Sequence, residues 1–159
     1  MANITIEYMI LVPFLILQIF LLPYATSIVM NYWSTSSETL ALNDASIHIG
    51  TSIQQLYFFL NNPSVSSGTV TNDLGIPPYI GNNAYTGNAT LTSVSGSGSG
   101  TVLKLTLQLK GKTISITSPF TLGQNARWST NSTFMSNSPS AYINAYKDSN
   151  NTIWLSFNS

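Results

Sequence analysis

The 159-residue chain has no cysteine, one histidine and very little charge, with five basic and five acidic residues. Without cysteine there are no disulfides and no thiolate metal ligands. Charged residues make up 6 % of the chain, so solubility has to come from hydroxyls and amides, since soluble proteins usually carry about 25 %. Zero formal net charge, with no basic block and no acidic tail, argues against an electrostatic nucleic-acid surface. Scarce carboxylates also leave few groups whose protonation could unfold the protein, and the chain is expected to tolerate acid.

All five basic residues, Lys104, Lys110, Lys112, Arg127 and Lys147, lie beyond residue 100. A secretory leader needs a basic region ahead of its apolar core, and a spanning helix is usually oriented by flanking Lys or Arg. The expectation is a chain close to a mature form, from which a basic leader has been removed. What stands at the front is a strongly apolar segment, Asn3 to Asn31, with one carboxylate, Glu7, at its leading edge. As a helix, Ile4 to Met30 would extend roughly 40 Å, more than a bilayer core of about 30 Å. Pro13 and Pro23 interrupt it, each removing a helical hydrogen bond, so kinks or a locally melted turn are expected.

Tyr32 and Trp33 suit a boundary between apolar and wet surroundings. Thr35 and Glu38 have capping-box spacing, so either a new helix begins there or one long helix passes through a polar collar. Ile49, Ile53, Leu56, Tyr57 and Leu60 recur with helical periodicity, and Asn61-Asn62-Pro63 ends the pattern. The sequence thus divides into a helical part, 1–62, and a β-rich surface part, 63–159.

Beyond Pro63 the period changes to two. Leu103, Leu105, Leu107 and Leu109 alternate with polar residues, which places them on one face of a strand. Lys110-Gly111 offers a reversal into Lys112–Thr117, where Ile114 and Ile116 continue that face. A second hairpin is read in 141–147 and 152–157, turned at Asp148-Ser149-Asn150-Asn151. Thr90 to Val94 reads as a weaker strand, 95–100 as a glycine-rich turn and 72–87 as a long surface loop. The fold class is therefore α+β: a long N-terminal hydrophobic helix followed by an antiparallel, sandwich-like domain.

Few residues can carry chemistry. His48 has no acid or nucleophile at a useful spacing, and Glu38, Asp44, Asp73 and Asp148 are scattered singly, without metal-ligand or glycosidase logic. No phosphate-binding glycine loop is present. No catalytic, cofactor or metal site is read from this chain. Four N-x-Ser/Thr sequons occur; the one at Asn3 falls at the apolar end, which leaves Asn88, Asn131 and Asn150 as candidate N-glycosylation sites.

Asn3-Ile4-Thr5-Ile6-Glu7-Tyr8-Met9-Ile10-Leu11 resembles the mature start of archaeal class III (type IV pilin-like) pilins, Q-x-S-x-E-x-x-x-L. Thr5 stands conservatively for Ser, Glu7 and Leu11 match, and Asn3 departs from Gln. The resemblance implies cleavage before Asn3 by a prepilin peptidase, a membrane-held precursor, and extraction by pilus assembly machinery. It further implies a homopolymer whose core packs Leu11, Phe14, Leu15, Leu17, Leu21 and Leu22, with Glu7 setting the register of incoming subunits. A carboxylate in an apolar bundle is costly unless paired, so it favours one stagger over others. The other reading of Glu7 is that it marks the water interface of a membrane anchor on a monomeric adhesive surface protein.

Overall fold

The computed structural model describes residues 2–94, 100–129 and 133–158, with side chains from residue 8 onward except at residue 94. Helix α1 runs from Ala2 to Asn61 and is followed by eight strands, β1 Gly68–Asp73, β2 Tyr85–Val94, β3 Gly100–Leu109, β4 Ser115–Leu122, β5 Ala126–Trp128, β6 Thr133–Met135, β7 Tyr142–Lys147 and β8 Ile153–Asn158. The chain forms two compact units, Met1–Ser37 and Glu38–Ser159. Compactness therefore divides the chain earlier than the change from helix to strand does. The reason is that the last part of α1 carries an apolar stripe that the β elements bury.

In the first unit α1 continues through both prolines, which corrects the expectation of a melted turn. Each proline deletes only its own bond to the carbonyl four residues back, while the neighbouring bonds hold the helical path. Thr26 and Thr35 donate their hydroxyls to the carbonyls of Leu22 (2.8 Å) and Asn31 (2.9 Å). Thr35 therefore bonds backward along a continuous helix and does not open a new one.

In the second unit the strands form two four-stranded sheets, ordered β1-β7-β8-β5 and β4-β3-β2-β6. All neighbours are antiparallel except β5 and β8. Leu103, Leu105, Leu107 and Leu109 are fully buried, as their alternation requires. They share one core with Ile143, Ala145, Ile153, Leu155 and Phe157 from the other sheet, and with Leu42, Ile49, Ile53, Tyr57 and Leu60 of α1. The helix is fastened along β4: Ser46 bonds the Ser118 hydroxyl at 2.8 Å, the Gln54 amide donates to the Thr121 carbonyl at 3.0 Å, and the Phe120 ring covers Gly50.

Two strand expectations need correction. Residues 72–87 are not simply a surface loop, because β1 reaches Asp73, β2 starts at Tyr85, and Leu74, Ile80 and Tyr85 are all buried in the core. The Lys110-Gly111 reversal is also wider than a two-residue turn: Gln108 pairs with Ser115, so β4 begins three residues later than Lys112. The second hairpin, by contrast, pairs Lys147 with Ile153 across the predicted turn.

Lys147 points inward from β7 and is nearly fully buried; its ammonium donates to the carbonyls of Asn62 (3.0 Å) and Val65 (2.8 Å), just past the end of α1. It closes the helix C-terminus, where unpaired carbonyls favour a cation. Lys147→Met keeps the aliphatic stem but removes the ammonium donor from the Val65 carbonyl and leaves the Asn62 carbonyl with the Val65 backbone N–H alone (3.1 Å). The expected loss is about 2 kcal/mol, read as a lower melting temperature by circular dichroism; an unchanged melting temperature would show the cap to be energetically idle.

Candidate functional site

From Tyr8 to Ser37 every side chain of α1 is exposed, including Leu11, Phe14, Leu15, Leu17, Leu21 and Leu22. The apolar residues are not confined to one face: Tyr8 through Val12, Phe14 through Leu17 and Ile19 through Leu22 form runs that circle the helix, broken only by Pro13 and Gln18. A helix apolar all round is a buried or lipid-facing helix. This one is long and apolar enough to cross a membrane. Glu7 falls on α1, but its side chain lies outside the described residues.

Of the glycosylation candidates, Asn88 is exposed in mid-strand on β2, between Thr106 of β3 and Thr133 of β6. Asn150 is exposed in the turn that joins β7 to β8. Asn131 lies outside the described residues.

His48 is exposed on α1, with its Nε2 over Gly75, whose φ of +59° suits glycine. Among the described residues no three His, Asp or Glu side chains converge as a metal site would need. The structure does bring together one ionic pair that sequence reading left as isolated residues. Glu38, 6 % exposed on α1, accepts from the Lys112 ammonium at 2.6 Å through both carboxylate oxygens. Its side chain lies against Gly81, where φ is +53° and an added Cβ would sit 2.4 Å from Oε1. Glu38 thus ties α1 to the β3–β4 turn and to the loop before β2. A signal was there to read: Glu38, Leu42, Ala45 and Ile49 step by four, three and four, which puts the acid on the buried stripe.

Tyr85 is fully buried and donates its hydroxyl to the Pro77 carbonyl at 3.0 Å. Burial pushes this hydroxyl well above the ordinary tyrosine range. The folded state therefore keeps a proton that the unfolded chain releases near pH 10, and stability falls as pH rises past that value. Urea unfolding at successive pH values above neutral should show this decline, and Tyr85→Phe should flatten it. A decline just as steep in the variant would assign it to other groups.

These features define a class: an α+β protein with an exposed, membrane-capable N-terminal helix joined to a two-sheet domain. No protein-family model, curated protein or solved structure matches the chain.

Proposed function

We propose that the chain is a structural subunit of an archaeal type IV pilus-like extracellular filament that serves adhesion, surface motility or cell contact and polymerises through its N-terminal helix. The observation that carries the reading is the apolar circumference of α1 from Tyr8 to Trp33, exposed throughout. Such a surface needs cover: lipid around the precursor, then the equivalent helices of neighbouring subunits in the filament. The core of the two-sheet unit is filled by its own strands and by α1 from Leu42 to Leu60, which leaves the earlier helix residues available for assembly.

In this reading Glu7 sets the stagger, because an acid among apolar helices is tolerated only where a neighbour pairs it. A terminal amine freed by cleavage before Asn3 would be such a partner. Glu7→Ala is expected to reduce sheared, detergent-free surface filaments at least tenfold while the membrane-held subunit persists at normal levels. Filaments of normal abundance in the variant would remove Glu7 from assembly. A wild-type chain displayed at the surface, with none of it in filaments, would leave a monomeric membrane-anchored adhesive protein.

A further inference from the structure

The two sheets present outer faces of very different chemistry. On the β4-β3-β2-β6 sheet the outward residues of the central strands include Thr86, Asn88, Thr90, Thr106 and Gln108, and among the described residues no outward one is aromatic. On the β1-β7-β8-β5 sheet, strands β7 and β8 bury Ile143, Ala145, Ile153, Leu155 and Phe157, so alternation turns Tyr142, Tyr146 and Trp154 outward. Tyr146 and Trp154 stand directly opposite each other across the pair and are 43 % and 41 % exposed, so both rings keep an open face. Tyr142 lies four residues along β7 from Tyr146, about 13 Å away at strand rise.

Aromatic residues are common in strands and support cross-strand pairs, which alone would explain Tyr146 and Trp154. Three further observations on the same face point to a ligand. Between the aromatic rows, Asn144 pairs with Thr71 on one side and Ser156 on the other, and its buried Oδ1 has no hydrogen-bond partner. An orphaned acceptor gains when its amide turns to meet a hydroxyl donor. Beyond it, Tyr142, Thr71, Asp73 and Ser140 line a cleft of about 400 Å³ that continues the face at its rim. Among the described residues of these strands the outward charges are one of each sign, Asp73 opposite Tyr142 and Arg127 beside Trp154, with no lysine, so the electrostatics favour a neutral chain over a polyanion.

We propose that the outer face of the β1-β7-β8-β5 sheet binds a neutral, linear polysaccharide, with pyranose rings stacked on Tyr146 and Trp154 and sugar hydroxyls bonded by Asn144, Ser156 and Asp73. The weakly positive C–H face of a pyranose complements the negative face of an aromatic ring, while its equatorial hydroxyls reach the flanking amide and carboxylate. The outward row along β7 and β8 suits an extended chain, and the rim cleft takes a ring at one end. The proposal stands on the Glu38–Ser159 unit alone and does not depend on filament assembly.

The test uses the full chain, made without glycans, in lipid nanodiscs free of sugar-headed detergent. Isothermal calorimetry with cellohexaose, hexa-N-acetylchitohexaose and mannohexaose is expected to give a Kd of about 1 mM or tighter for at least one of them. Trp154→Ala and Tyr146→Ala should each weaken that binding about tenfold, Trp154→Phe by no more than about threefold, and Thr106→Ala, on the other sheet, not at all. Because Tyr146 is half exposed and outside the core, its variant reads the face even where Trp154→Ala lowers the melting temperature. The proposal is overturned if none of the three sugars binds the wild-type chain, or if both alanine variants bind like wild type. It is equally overturned if a thymidine hexanucleotide binds more tightly than every sugar, which would make this a nucleic-acid surface.

Discussion

Replacing Gly87 by alanine is expected to lower the stability of the Glu38–Ser159 unit by about 2–3 kcal/mol. The sign is the informative part, because alanine in a strand is ordinarily better than glycine by roughly 0.5–1 kcal/mol. Here Gly87 of β2 pairs with Phe134 of β6, and a Cβ at Gly87 would lie 2.0 Å from the Phe134 ring. The ring has little room to retreat, being buried and packed edge-to-face on Phe157 with centroids 4.7 Å apart. Alanine must push Phe134 off its rotamer or spread the two sheets.

A double-mutant cycle isolates that contact. Phe134→Ala alone should cost about 3–5 kcal/mol, but in its background Gly87→Ala should become neutral or stabilising. Urea unfolding of the four proteins measures the coupling, expected to exceed about 2 kcal/mol. Additive effects would show that the glycine is present for some reason other than the ring.

The second large effect is expected in the first unit. Leu21 lies near the middle of the exposed apolar run and is itself exposed, so Leu21→Lys should leave folding of the sheets unchanged. In lipid the same substitution places a charge near the bilayer midplane, at a cost of about 2.5–3.5 kcal/mol. The carbonate-resistant membrane fraction should fall about tenfold or more, and filaments with it, while Leu21→Ile keeps both. A lysine variant that is retained in membranes and assembles normally would mean that this part of α1 meets neither lipid nor a dry helix bundle.

Much of the fold was legible because it follows from two periodicities. The alternating leucines of β3 and the helical spacing of Ile49, Ile53, Tyr57 and Leu60 correspond directly to buried faces. The turn residues Asp148 to Asn151 sit between β7 and β8, with Asn151 taking a φ of +61° that asparagine tolerates. Strands β1, β5 and β6 were not legible. Gly68–Asp73 is threonine-rich and almost wholly exposed, while Ala126–Trp128 and Thr133–Met135 are too short for a periodic pattern. Their strand state comes from the neighbours they pair with.

The apolar character of residues 8–33, the amphipathic stripe of 42–60 and the alternation of β3, β7 and β8 are local properties, determined by which side chains recur at which spacing. Tertiary structure alone decided which distant residues meet: Glu38 with Lys112, Lys147 with the end of α1, and Phe134 with Gly87. The physical reason is that periodicity specifies a face but not its partner. Partnership is set by sheet order and register, which depend on how the whole core closes.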